Sequence, residues 1–146
     1  MATVSSILEK KGHNIYWVPP QTPILDALKL MDEKKIGAVL VMEKGVVLGI
    51  FSERDYARRG ILKGNSESTA VKNVMTDKVY YVEPEQSVET CMAQMSDKHI
   101  RHLPVVKNGT VIGVVSIGDV VTSMLMDKET LIKGLENFIL GDEIKL

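Results

Sequence analysis

The sequence predicts a mixed fold of helices and strands, α/β of the α+β type, made of two β-α-β-β-α units. The chain repeats itself at an offset of 64 residues: residues 15–59 align with 79–123 without a gap, and 12 of the 45 pairs are identical. Both copies also show the same order of strand-like and helix-like segments. Two copies are too few for a solenoid, so we expect two units related by a pseudo-two-fold axis, each burying an apolar face of the other.

The elements follow in the same order in each copy. Residues 15–18 and 79–82 read as short extended segments, each followed by a helix with apolar residues at helical spacing. Two apolar strands then flank a turn, which contains Gly45 in the first copy and Asn108-Gly109, a strong hairpin signal, in the second. The second helix of each copy is expected to begin at Ser52 or Ser116.

The polar segment 64–69 contains Gly64 and is typical of a linker. We therefore expect a first unit over residues 1–64, a second over 65–126, and a C-terminal helix and tail over 127–146.

Composition argues against several classes of partner. The 146 residues carry a formal net charge of -1, which supplies no broad positive field for nucleic acid or an anionic membrane. No apolar stretch approaches the roughly 20 residues of a membrane span, and no secretory leader is visible. The single cysteine, Cys91, cannot form an intrachain disulfide. A cytoplasmic protein is expected, without nucleic-acid or membrane partners.

The most informative repeated element lies where a strand becomes a helix. Gly49 to Asp55 has the pattern Gly-x-x-Ser-x-x-Asp, which recurs from Gly113 to Asp119. Ser-x-x-Asp can be a capping box, in which serine and acid satisfy free backbone N–H groups at the helix start. The same residues can bind a nucleotide, with the serine near a phosphate and the aspartate accepting both ribose hydroxyls. The pattern alone leaves both interpretations open.

The duplicated β-α-β-β-α order, the repeated Gly-x-x-Ser-x-x-Asp motif and the run Arg101-His102-Leu103-Pro104-Val105 together resemble a tandem CBS domain pair, or Bateman module. The resemblance covers nearly the whole chain. It implies a regulatory module that binds an adenine nucleotide between its units, with AMP expected first and ADP, ATP, NAD or S-adenosylmethionine as alternatives. It also implies a homodimer that signals to an effector protein, which the sequence does not identify.

The resemblance assigns residues to a first site. Asp55 would bind the ribose and Ser52 a phosphate, while Arg101 and His102 of the second copy would face the phosphates. Arg54, with its neighbours Arg58 and Arg59, adds positive charge, although a solvated helix face is the simpler explanation for each arginine taken singly. The adenine would lie against Thr22, Ala27, Ile36 and the backbone of Gly37.

The second site implied by the resemblance uses Ser116 and Asp119, with Cys91, Ile100 and the backbone of Arg101 around the base. Here the repeat departs from symmetry, because Gly37 and Ala38 stand where the second copy has Arg101 and His102. We therefore expect unequal sites. The Asp55 site should hold an anionic nucleotide more tightly, and the Asp119 site should be weak, empty or suited to a less charged ligand.

No catalytic centre is expected. The sequence contains no P-loop, no dinucleotide-binding glycine pattern and no nucleophile elbow. His99 and His102 lie three residues apart, but no cluster of cysteines or carboxylates completes a metal site, so neither metal nor cofactor is expected. The alternative to a sensor is a structural or protein-interaction subunit with vestigial ligand sites, in which Ser52 and Asp55 serve only as caps.

Overall fold

The computed structural model describes residues 2–140. In chain order its α-helices are α1 (Val4–Lys11), α2 (Ile24–Lys34), α3 (Glu53–Asp55), α4 (Val88–Lys98) and α5 (Ile117–Leu140). Its strands are β1 (Trp17–Val18), β2 (Ala38–Glu43), β3 (Val46–Ser52), β4 (His102–Lys107) and β5 (Thr110–Ser116). These elements form two compact units. We call residues 15–80 the Asp55 unit, and residues 2–14 with 81–140 the Asp119 unit.

The Asp55 unit has the predicted β-α-β-β-α order. Strand β1 pairs in parallel with β2, and β2 pairs antiparallel with β3. The turn between β2 and β3 places Lys44 at φ 51° and Gly45 at φ 77°, the left-handed conformation that a tight hairpin requires. One face of this sheet packs on α2 to form an apolar core that includes Ile24, Met31 and Phe51.

The Asp119 unit repeats this arrangement with a smaller sheet. Strands β4 and β5 are antiparallel, and their turn places Asn108 at φ 52° and Gly109 at φ 77°, which confirms the predicted hairpin. The predicted first strand of this copy is reduced to one parallel bridge between Val82 and Val105. The mixed α+β fold predicted from the sequence is confirmed.

The two structural units divide the chain differently from the predicted boundaries, because each repeat is completed by a segment from outside it. In the Asp55 unit, Ala70 bridges to Pro23 before α2. In the Asp119 unit, Thr3 from the start of the chain bridges to Ser87 before α4, and α1 packs on β5. Residues 2–14 therefore belong with the second copy, and residues 65–80 with the first, instead of a division at 64/65.

The repeated glycine of the motif allows these added segments to approach the sheet. A Cβ atom on Gly49 would lie 2.5 Å from Met75 Sδ and 2.7 Å from the carbonyl oxygen of Thr76. A Cβ atom on Gly113 would lie 2.7 Å from a methyl carbon of Leu8. All three distances are too short for a real side chain. At Gly49 one of the close atoms is a backbone oxygen, so glycine there serves close packing, whereas at Gly113 the close atom is the end of a leucine side chain.

The C-terminal helix predicted to begin at residue 127 is part of α5, which runs without a break from Ile117 to Leu140. The last six residues of the predicted tail, 141–146, lie outside the described residues. Helix α5 exposes apolar side chains at Val121, Leu125, Ile132 and Leu135. Among residues 2–140, no helix is both long and apolar enough to span a membrane.

Candidate functional site

Ser52 and Asp55 form the predicted capping box at the start of α3. The backbone N–H of Asp55 donates to Ser52 Oγ at 3.1 Å, and the N–H of Ser52 donates to Asp55 Oδ2 at 3.0 Å. Helix α3 has only three α-helical residues and continues as a π-helical turn, Tyr56–Gly60. The capping interpretation is therefore confirmed for this pair, and a short helix offers little dipole to a phosphate.

The other carboxylate oxygen of Asp55 belongs to a second network. Thr76 Oγ1 donates to Asp55 Oδ1 at 2.9 Å, and Arg59 Nη2 donates to the same oxygen. Arg59 Nη2 also donates to Thr76 Oγ1 at 2.6 Å, and Arg59 Nε donates to the carbonyl of Val74 at 3.1 Å. Asp55 therefore already has a cationic partner within its own unit. The sequence indicated Arg59 only as general positive charge.

The residues predicted around the adenine differ in exposure. Ile36 and Gly37 are half-buried and lie together at a surface depression of the Asp55 unit, which Leu28, Met31, Asp32, Lys35 and Glu53 also line. The carbonyl of Gly37 accepts from the N–H of Glu53 at 3.1 Å, so it lies directly beside the start of α3. Thr22 is half-buried. Ala27 has no exposed surface and belongs to the core, so its burial gives no support to a contact with the base.

Ser116 and Asp119 form the equivalent pair at the start of α5. The N–H of Asp119 donates to Ser116 Oγ at 3.2 Å, and the N–H of Ser116 donates to Asp119 Oδ2 at 2.9 Å. Helix α5 is 24 residues long, so the capped helix start here has a full helix behind it.

Lys11, at the end of α1, supplies Asp119 with a cation that sequence reasoning missed. Its Nζ donates to Asp119 Oδ2 at 2.7 Å and to the carbonyl of Val114 at 2.9 Å. Lys11 is 108 residues from Asp119 in the sequence and lies outside the repeat, so the alignment of the two copies could not indicate it. The only sequence signal was the unassigned basic pair Lys10-Lys11 before Gly12.

The ion pair changes the titration of Asp119. Burial by itself raises the pKa of this carboxyl, but hydrogen bonds from Lys11 and Ser116, together with the charge of Lys11, lower the pKa below its usual value. A carboxyl whose pKa is lower in the folded than in the unfolded protein contributes stability above the unfolded pKa. That contribution is lost as the pH falls through the folded pKa.

We therefore expect Lys11→Gln to flatten the acid side of the stability profile. Between about pH 5 and pH 2, the free energy of unfolding of the wild type should fall more steeply than that of the variant, because the variant has less pairing to lose. Chemical denaturation at stepped pH measures both slopes. Lys10→Gln is the control, since it removes the same charge from an exposed neighbour. Equal slopes for the two variants would contradict the role of the ion pair.

The remaining residues of the second predicted site also lie in the Asp119 unit. Cys91 is fully buried in α4, and burial raises the pKa of its thiol to about 11, as suits an inert core residue. Ile100 is half-buried, and the carbonyl of Arg101 accepts from the N–H of Ile117 at 2.8 Å, beside the start of α5. His102, which was predicted for the first site, opens β4 in this unit, opposite Ser116.

Arg54, Arg101 and His102 remain predictions as ligand contacts. Arg54 is exposed on α3, and Arg101 is exposed just before β4. Arg101 and His102 belong to the Asp119 unit, whereas Ser52 and Asp55 belong to the Asp55 unit. Among the described residues, no three His, Cys, Asp or Glu side chains are grouped as a metal site would require.

Comparison with known proteins identifies the repeat. A sequence profile of the CBS domain matches the chain twice, over residues 4–61 and 71–125. The CBS domain-containing protein CBSX3, mitochondrial, of Arabidopsis thaliana is 36% identical over 95% of this chain and 72% of its own length. The CBS domain-containing protein YhcV of Bacillus subtilis is 30% identical over 86% of this chain and 89% of its own length.

Solved structures agree with this comparison. A protein with CBS domains from Burkholderia ambifaria superposes with a TM-score of 0.84 at 48% identity, over 86% of this chain and 96% of its own. The CBS-domain protein ATU1752 of Agrobacterium tumefaciens gives a TM-score of 0.77 at 36% identity, over 84% of this chain and 99% of its own.

Proposed function

The chain belongs to the CBS domain family and carries two copies of the domain, and from this premise we propose that it is a regulatory module that senses an adenine nucleotide, with AMP as the first candidate. The observation that carries the proposal is the repeated Ser-Asp pair at the starts of α3 and α5, where each carboxylate is only partly buried, with 13% of the Asp55 side chain and 25% of the Asp119 side chain exposed. A carboxylate at such a position can accept both hydroxyls of a ribose.

The fold is compatible with adenosine compounds. The CBS pair of the protein MJ0100, which has 21% identity and a TM-score of 0.76 to this chain, was solved with 5′-methylthioadenosine and S-adenosylmethionine. At that identity the likeness concerns the fold alone, so the choice among AMP, ADP, ATP, NAD and S-adenosylmethionine is part of the proposal. In this proposal Asp55 and Asp119 bind ribose, and Ser52 and Ser116 contact phosphate.

Binding, without catalysis, would perform the regulation. A ligand that prefers one arrangement of the protein shifts the population toward it, and couplings of about 1–3 kcal/mol suffice for such a switch. We propose that the protein is a homodimer whose state an effector protein reads. The exposed apolar residues of α5 support an association of this kind, because an apolar stripe on a helix is stabilised when a partner covers it.

A structural subunit with vestigial sites is the second candidate, and the two capping boxes favour it. A cap needs no ligand to explain Ser52 and Asp55, since both already satisfy backbone N–H groups. The two functions differ in what a ligand does to stability, because only a protein with a working site is stabilised by mass action.

We expect at least one adenine ligand to raise the melting temperature of the wild type, and Asp55→Ala to lose much of that rise. A single-site ligand at 100 times its Kd stabilises the folded state by about 2.7 kcal/mol. For a chain of this length, such a gain corresponds to a rise of roughly 5–10 °C. The measurement is a thermal-shift series with AMP, ADP, ATP, NAD and S-adenosylmethionine, repeated on Asp119→Ala.

Ser87→Ala is the matched control for capping. Ser87 Oγ accepts from the N–H of Thr90 at 3.1 Å and caps α4, and Ser87 belongs to neither predicted site. This variant should melt at a lower temperature than the wild type but keep the full ligand-induced rise. If no ligand raises the melting temperature of the wild type, the sensing function is wrong. If Asp55→Ala keeps the full rise as Ser87→Ala does, Asp55 is only a cap.

A further inference from the structure

Asp55 has few acceptor positions left for a ligand. A carboxylate offers about four lone-pair positions. Arg59 Nη2 and Thr76 Oγ1 occupy Oδ1, and the backbone N–H of Ser52 occupies a position on Oδ2. A ribose that donates two hydroxyl hydrogen bonds to Asp55 therefore has to displace one of these donors.

Arg59 is the donor that can leave most easily. The Ser52 N–H is held in the backbone of the capping box, and Thr76 is half-buried beside β3. The Arg59 side chain is 46% exposed, against 13% for Asp55, so water can replace the contacts it loses. Its Nε donates to the carbonyl of Val74 at 3.1 Å, a contact that does not involve Asp55. The guanidinium thus stays next to the carboxylate after Nη2 has been displaced.

A displaced but anchored guanidinium treats charged and neutral ligands differently. The ribose hydroxyls of a nucleoside bind the Asp55 carboxylate, but the nucleoside has no anionic group that could bind the displaced arginine. A phosphorylated ligand supplies an anion, and the planar guanidinium binds phosphate oxygens in pairs. Resting on the proposed function, we propose that Arg59 is a specificity-determining residue of the Asp55 site. Binding of the ribose displaces Arg59 from Asp55, and the phosphate of the ligand then replaces Asp55 as the partner of Arg59. Ribose binding at this site therefore depends on the phosphate.

The second copy shows that this arrangement is particular to the Asp55 unit. Ser123 stands at the position equivalent to Arg59, so the second copy lacks the arginine. Its counter-ion is Lys11, which donates to Oδ2 of Asp119, the same oxygen that accepts from the Ser116 N–H. Lys11 lies on α1 and presents a single ammonium group, whereas Arg59 presents a planar fork from the turn that follows Asp55.

The test compares the binding of AMP and adenosine to the full chain by isothermal titration calorimetry. All proteins carry Asp119→Asn, so that the second site does not contribute. With Arg59 present we expect AMP to bind more tightly than adenosine. In Arg59→Gln this preference should fall by about 10- to 100-fold, the range expected for one charge-assisted hydrogen bond, and adenosine should bind as well as before or better. Arg59→Lys should keep part of the preference.

Arg58→Gln is the matched control, because Arg58 is an exposed neighbour and its loss changes the net charge by the same amount. It should leave the preference within about threefold, since screening weakens the effect of an exposed charge. If Arg59→Gln weakens AMP and adenosine equally, or changes the preference no more than Arg58→Gln does, Arg59 is a structural residue and the inference is wrong while the sensing function stands. If neither AMP nor adenosine binds when Arg59 is present, the proposed AMP site fails, and this inference fails with it.

Discussion

Phe51→Ala is expected to lower the free energy of unfolding by about 3–5 kcal/mol, the usual cost of removing a buried phenyl ring from a packed core. Phe51 is fully buried on β3, and among the residues whose burial the structure describes it is the largest of the completely buried side chains. It packs among the core residues of the Asp55 unit, together with Ile24 and Val41. The loss combines the transfer free energy of the ring with the cavity that remains, since the sheet and α2 can close only part of that space.

Urea denaturation measures this effect, with Val46→Ala as the control on the same strand. Val46 is 58% exposed, so its truncation should change the free energy of unfolding by no more than about 0.5 kcal/mol. A loss below about 1.5 kcal/mol for Phe51→Ala would mean that the core of this unit is less tightly packed than the structure indicates.

Leu8→Ala is expected to cost about 2–5 kcal/mol, although Leu8 precedes the first repeat in the sequence. Its side chain is 1% exposed, and its methyl carbons lie against Gly113 on β5. Residues 2–14 therefore form part of the core of the Asp119 unit. Truncation of Leu8 should destabilise that unit first, so amide protons of β5 should exchange with solvent faster than in the wild type.

The control is Glu9→Ala, an exposed position on the same helix, which should have little effect on stability. If Leu8→Ala and Glu9→Ala have equal effects, α1 is not part of the core. Faster exchange in β3 but not in β5 would instead assign α1 to the Asp55 unit. Either result would contradict the division of the chain described above.

The two carboxylates show how far sequence reasoning can go at a site. The duplication singled out Asp55 and Asp119, because both recur at the same offset after a strand, and the structure places both at a capped helix start. The partners of each carboxylate were not predictable in the same way. Arg59 was recognised only as one of several arginines, and Thr76 and Lys11 were not recognised as partners. Their contacts with Asp55 and Asp119 join residues that are not aligned in the two repeats.

The structure adds a charged residue to the comparison of the two predicted sites. Gly37 and Ala38 supply no charge, which led us to expect an Asp119 site suited to less charged ligands. Lys11 adds a cation beside Asp119 that this comparison did not include. The expectation of unequal sites stays a prediction, and the thermal-shift series on Asp55→Ala and Asp119→Ala tests it directly.

By itself, the sequence determined the repeat, the β-α-β-β-α order, the Asn108-Gly109 hairpin and the capped helix starts, because periodicity, turn chemistry and capping are local properties of neighbouring residues. Only the tertiary structure decided that α1 completes the second copy, that residues 65–80 complete the first, and that Arg59 and Lys11 are the counter-ions of Asp55 and Asp119. Except for the pair of Arg59 with Asp55, which are four residues apart, these features depend on which distant segment covers an apolar face or reaches a carboxylate. Neither the periodicity nor a motif of the sequence indicates which segment this is, because packing between residues that are far apart in the sequence determines it.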